Sequence, residues 1–198
     1  SSKALIQISP IIHSAIRLIT NQSLVTGIFP DLLKIAIVTP IYKGNGSDPQ
    51  EFGNYRPISL LPTLSKIIEK VVHKQLYDYM SANNLFNNSQ YGFRNNHSTE
   101  YAAMDFVDKA AKHIDDGEIP FSIFIDLSKA FDTLDHNILL KKLQYNGIRN
   151  THLAWFKSYL TGRTQSVKIQ QYHLLQTNVV NRGTPRISLR PIIILNIY

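Results

Sequence analysis

The chain contains no cysteine, so neither a disulfide framework nor a thiolate metal site can be built from it. Its seven histidines are scattered without an HxxxH or similar spacing, which argues against a zinc centre. No run of 18 apolar residues occurs, and that excludes a membrane-spanning helix. Ser1-Ser-Lys-Ala carries no signal-peptide pattern and no initiator Met. Repeats, long linkers and low-complexity tracts are missing as well. What remains is a basic globular chain of 198 residues, 43% hydrophobic, with a formal charge of +7. That length suffices for one domain with a core. The charge fits a polyanionic partner, as it also fits many basic proteins that bind no nucleic acid.

Hydrophobic periodicity divides the chain into helices and short strands. Ile12, Ala15, Ile16 and Ile19 recur at helical spacing within residues 11–26, and Gly27 and Pro30 end the pattern. A short strand is expected over 35–40, followed by a turn at Gly44-Asn-Gly46. Pro62-Thr63 opens an amphipathic helix whose stripe is Leu64, Ile67, Ile68, Val71, Val72, Leu76, Tyr79 and Met80, with Lys and Glu opposite. Ser98 is placed to cap a helix that reaches Asp115 and stops at Gly117. Asp135 is placed to cap another, closed by Gly147, and residues 151–161 form a third with Trp155, Phe156, Tyr159 and Leu160 on its apolar side. Alternation at Val167 and Ile169, then through Val179 and Val180, suggests an antiparallel hairpin. The fold class is α+β.

One stretch stands apart. Phe121, Ile123, Ile125 and Leu127 alternate with Ser122, Phe124 and Asp126, a strand-like pattern that sets a carboxylate near its end. A carboxylate on a buried strand is costly unless it is paired or holds a metal. Asp126 can equally be a loop residue or a helix cap.

Its neighbours decide how it is read. Phe124 to His136 (FIDLSKAFDTLDH) resembles the first catalytic motif of reverse transcriptases from non-LTR retrotransposons of the jockey-like, LINE type. Ile37-Val-Thr-Pro-Ile-Tyr-Lys-Gly-Asn-Gly46 and Asn54-Tyr-Arg-Pro-Ile-Ser-Leu-Leu-Pro62 resemble the first two fingers blocks of that family. Gln90-Tyr-Gly-Phe-Arg-Asn-Asn-His-Ser-Thr99 matches the next block, and Gly183-Thr-Pro-Arg-Ile-Ser-Leu-Arg-Pro191 is an altered form of a later one. Each block is weak alone; five in the family's order are specific.

The resemblance implies a right-hand polymerase. Residues 1–198 would be a partial reverse transcriptase domain, with fingers and helical palm elements over about 1–120 and an incomplete palm over about 121–198. It implies RNA-directed DNA synthesis by two-metal phosphoryl transfer, with Mg²⁺ as cofactor. RNA template, DNA primer and deoxynucleoside triphosphates would be the partners, in a nuclear or cytoplasmic setting, with no membrane and no disulfide partner. By resemblance, Asp126 is the catalytic metal carboxylate and the Leu127 carbonyl a second ligand. Phe131 would lie under the sugar and exclude a 2′-hydroxyl, although a plain core Phe reads the same. Lys43 and Arg56 would grip the triphosphate, a chemically sensible pair that can also be surface charge. Tyr91, Phe93 and Arg94 would meet the template by stacking and charge; alternatively the rings are core and Arg94 pairs with an acid.

The pattern fails in two places. Where the family reads Gly-x-Pro-Gln-Gly-Ser, this chain has Pro185, Arg186, Ile187 and Ser188, putting a branched Cβ where backbone approaches the nascent pair. The family's second acidic hairpin and its thumb are expected beyond Tyr198. The chain is therefore expected not to polymerise alone. A non-catalytic RNA- or DNA-binding remnant and a functionless translated relic are the alternatives.

Overall fold

The computed structural model describes residues 2–44, 46, 48–126, 134–169 and 172–178. The elements are α1 (Ser2–Thr26), β1 (Ile35–Tyr42), β2 (Tyr55–Leu60), α2 (Thr63–Ala82), α3 (Thr99–Asp115), α4 (His136–Tyr145), α5 (Asn150–Leu160), β3 (Thr164–Ile169) and β4 (Tyr172–Asn178). Helices mix with a small sheet. No described helix is long and apolar enough to cross a membrane.

Two helix starts follow from local chemistry. The Tyr101 N–H donates to Ser98 Oγ at 3.3 Å, opening α3. Asp135 Oδ1 accepts from the Asn137 and Ile138 amides at 2.7 and 3.2 Å, opening α4. In both cases a side-chain oxygen satisfies amides that the helix itself leaves without partners.

The core forms where α2, α4 and α5 turn their stripes inward around Phe29. Ile68, Val72, Leu76 and Met80 of α2 meet Leu139 and Leu143 of α4 and the aromatic face of α5. Phe29 lies edge-on to Trp155 and Tyr159, with ring centroids 5.6 and 5.0 Å apart, while Trp155 and Tyr159 stack at 5.2 Å. Polar bonds fasten α1 to this cluster. Trp155 Nε1 donates to Ser23 Oγ at 2.9 Å, Ser23 Oγ donates to the Ile28 carbonyl at 2.7 Å, and the Phe29 amide donates to Ser158 Oγ at 3.0 Å. The expected Lys/Glu face of α2 is corrected at one position: Glu69 is buried and accepts from Ser65 Oγ at 3.1 Å.

The sheet order is β2-β1-β3-β4, with β1–β2 and β3–β4 antiparallel and β1–β3 parallel. The hairpin expected near residues 165–180 is therefore present as β3–β4; Val179 and Val180 lie outside the described residues. Pro40 is the register partner of Pro57. The Lys43 amide donates to the Asn54 carbonyl at 2.9 Å, and hydrogen-bonded rungs alternate along an antiparallel ladder. The Pro40–Pro57 rung is thus one whose amides would point away from the partner, where proline costs nothing within the pair. On its other side, β1 pairs with β3 only from Ile35 to Val38. Pro40 offers no N–H to carry that parallel ladder further. The distal β1–β2 hairpin consequently continues past the sheet as a two-stranded ribbon.

The structure overturns one expectation. Residues 118–126 form no strand, and Phe121, Ile123, Phe124 and Ile125 are exposed. A strand exists through its ladder, and no described strand pairs with this segment. Nor does α3 bury any residue: Tyr101, Met104, Phe106, Val107 and Ile114 are all exposed. Phe106 instead meets Phe124, with centroids 5.6 Å apart. Alternation specifies two faces; it does not supply the layer that would cover one.

Candidate nucleotide and nucleic-acid site

The β1–β2 ribbon positions the first pair of candidate residues. Arg56 is the register partner of Ile41, and Lys43 follows Ile41 by two residues in extended chain. Side chains alternate along a strand and partners share a face, so Lys43 and Arg56 lie on one face of the ribbon. Both are exposed. Lys43 Nζ donates to the Gly53 carbonyl at 2.6 Å, drawing the ammonium back over the turn. Arg56 has no carboxylate partner among the described residues. Two cations on one face, not neutralised by an acid, can hold a phosphate chain between a point charge and a planar fork.

The second group is built on α2. Arg94 sits 5.5 Å over the Phe86 ring, and its Nη1 donates to the Asn87 carbonyl at 3.0 Å. Phe86 is buried against Tyr77, centroids 5.0 Å apart, and the Asn95 amide donates to the Tyr77 hydroxyl at 2.9 Å. Tyr77 in turn stacks with His73 at 6.5 Å. Tyr91 meets the His97 ring at 5.9 Å, and its hydroxyl bonds the Asp105 carboxylate, which raises the Tyr91 pKa. Lys109 holds Asp105 at 2.7 Å and, with Tyr91, lowers that carboxyl below its usual range.

These contacts correct the sequence alternatives. Phe93 is exposed, in the left-handed region at φ 57°, so it is not core. Arg94 is held by a ring and a carbonyl rather than by an acid. Half-buried His73 and Tyr77 and buried Phe86 form an aromatic support beneath Arg94 that sequence reasoning missed. Their signal was weak, because Tyr77 and His73 fall on a helix read as core, and Phe86 falls in a polar connector.

Asp126 stands apart from both groups. It is exposed, in irregular chain, and has no hydrogen-bond or ion-pair partner among the described residues. Such a carboxylate fits a hard, oxygen-liganded cation as a single ligand. No group of three or more His, Asp or Glu that could hold a metal occurs among the described residues. Leu127 and Phe131 lie outside the described residues, as do Pro185, Arg186, Ile187 and Ser188.

Residues 41–188 match the family described as Reverse transcriptase (RNA-dependent DNA polymerase). The chain is 33% identical over 182 residues to a protein of Drosophila melanogaster named probable RNA-directed DNA polymerase from transposon BS, covering 87% of this chain and 19% of that one. It is 31% identical over 174 residues to the probable RNA-directed DNA polymerase from transposon X-element of the same organism, covering 88% and 19%. Against the RNA-directed DNA polymerase from mobile element jockey, also of that organism, identity is 33% over 155 residues, covering 78% and 17%. The chain thus spans about a fifth of the length of these curated relatives.

Proposed function

Because the chain belongs to the reverse transcriptase (RNA-dependent DNA polymerase) family, of the jockey-like non-LTR kind, we propose that it forms the fingers and part of the palm of an enzyme copying RNA into DNA. The observation that carries this reading is the Lys43–Arg56 face of the ribbon, where two unneutralised cations suit the triphosphate of an incoming deoxynucleotide. Arg94, Phe93 and Tyr91 sit on a second surface, where exposed ring and guanidinium suit a template strand.

Asp126 serves as a metal carboxylate in this scheme, with the Leu127 carbonyl beside it. A bound Mg²⁺ would supply charge stabilisation to the attacking and leaving oxygens. Phe131 sets the choice of deoxyribose by excluded volume. The ribbon's cations orient the phosphates for in-line displacement, a positioning role rather than a proton transfer. Among the described residues no group of three or more His, Asp or Glu joins Asp126, and catalytic sets act as units. The 198-residue chain is therefore a nucleotide- and nucleic-acid-binding part that does not extend a primer alone. Ile187, standing where the family carries Gly, favours a functionless translated relic as the second reading.

The test pairs primer extension on an RNA template with a binding titration in salt, for this chain and for Asp126→Ala and Lys43→Ala variants. No extension, with binding that weakens by a log–log slope of about −0.7 per neutralised phosphate on a single strand, supports the proposal. Lys43→Ala should reduce the magnitude of that slope by about 0.7, the share of one phosphate contact. Salt-insensitive binding would remove the phosphate role. Extension abolished by Asp126→Ala would overturn the claim of inactivity.

A further inference from the structure

A cavity of about 340 Å³ opens between the carboxyl-terminal half of α1, one face of α2 and the start of α5. Its floor is apolar: Leu24, Val72, Leu76, Trp155 and Phe156 line it, and the last four are buried. Its mouth is basic. Arg149, the extended residue that precedes α5, and His152, in its first turn, both line the opening and are exposed. Neither has an ion-pair partner among the described residues, and Arg149 makes no capping bond to its own helix. No Asp or Glu lines the cavity among the described residues.

Its wall is fixed by an unusual close approach. Gly147 takes φ +91°, and a Cβ there would lie 2.4 Å from the Tyr79 hydroxyl. Only glycine lets Tyr79 reach over the turn and donate to the Asn146 carbonyl at 2.9 Å. The cleft has the volume, the apolar lining and the few convergent polar groups of a small-molecule site. Neither the ribbon nor the Arg94 surface contributes to it.

We propose that this cleft binds a small amphipathic anion, its apolar body on the floor formed by α2 and Trp155 and its carboxylate or equivalent acidic group at Arg149 and His152. The charge complementarity selects the class. A neutral molecule of equal shape would leave the Arg149 guanidinium unused, and a cationic one would be repelled by it.

Trp155 is the chain's single tryptophan, so its emission reports directly on occupancy of the floor. The experiment titrates the full chain with decanoate, below its micellar range, against decan-1-ol as the neutral counterpart. A saturable change in Trp155 emission is expected with decanoate, and binding at least tenfold weaker with decan-1-ol. Arg149→Gln should weaken decanoate binding about tenfold, the loss expected when one charge-assisted hydrogen bond goes. Leu24→Phe should obstruct the floor and abolish binding. Because Arg149 is exposed and unbonded, its variant tests the idea even if Leu24→Phe fails to fold. Equal affinity for the alcohol, indifference to Arg149→Gln with an unchanged melting temperature, or no saturable response would each overturn the assignment and leave a packing void.

Discussion

Replacing Gly147 by alanine isolates a single contact and gives it a magnitude. Two costs add. The backbone stands at φ +91°, where an L-residue with a Cβ is strained by about 1–2 kcal/mol. The new methyl would lie 2.4 Å from Tyr79 Oη, a distance that real atoms do not tolerate. Oη is the far end of a rotatable side chain, so the ring swings away instead of the backbone giving. That movement breaks the bond from Tyr79 to the Asn146 carbonyl, worth about 0.5–1.5 kcal/mol net. The sum is about 1.5–3.5 kcal/mol, or a fall in melting temperature of about 3–14 °C for a domain of this size. Denaturant unfolding of Gly147→Ala, Tyr79→Phe and the double variant separates the two costs. In the Tyr79→Phe background the hydroxyl is gone, and Gly147→Ala should cost only its backbone share of about 1–2 kcal/mol. Equal losses in both backgrounds would refute the clash and leave φ alone as the reason for glycine.

Ser23→Ala should destabilise the chain by about 1–3 kcal/mol in urea titration, because the buried Trp155 Nε1 loses its acceptor. A loss below a few tenths of a kcal/mol would show that another acceptor takes its place. Asp135→Ala, which removes the cap of α4, should cost about 1 kcal/mol, while the exposed Asp126→Ala should leave the urea midpoint unmoved. Burial lowers the His73 pKa below its ordinary 6.5. The unfolded chain then binds the proton first as pH falls, so stability holds above the unfolded pKa and declines from there down to the folded one. His73→Asn should flatten that acid-side slope in melting curves between pH 7.5 and about 5; an unchanged slope would assign it elsewhere.

Legibility in the sequence followed the range of the interaction that decided each feature. Ser98 and Asp135 could be read as caps because their partners lie two or three residues away. Gly117 and Gly147 marked helix ends for the same reason, since both hold positive φ. The aromatic side of α5 was readable from its spacing and is the buried side. Features set by distant chain were not readable. Glu69 looks like a solvated helix residue, yet it is buried. Arg163 looks like surface charge, yet it is buried, lies 4.9 Å over the Tyr159 ring and donates to the Tyr159 carbonyl at 3.0 Å. The apolar alternation of 121–126 was legible as a pattern, but whether it becomes a strand depends on a neighbour that no local rule supplies. Within the candidate site, family motifs pointed to Lys43, Arg56 and Arg94. Phe86, which lies under Arg94, and Tyr77 of α2, which packs against Phe86, belong to no motif and come together only in the fold.

The paired prolines of the β1–β2 ribbon carry a mechanical consequence. Beyond Val38 no third strand lies beside the hairpin among the described residues, and a two-stranded ribbon twists more strongly than a wider sheet. Its stiffness then comes from one ladder, so the easiest bend falls where the parallel pairing stops. A tip that swings about that point carries Lys43 and Arg56 through an arc together, keeping their spacing while changing their reach. Pro57 also withholds an N–H from the outer edge of β2, discouraging a stray strand from adding there. The outer edge of the ribbon is therefore kept from serving as a template for aggregation.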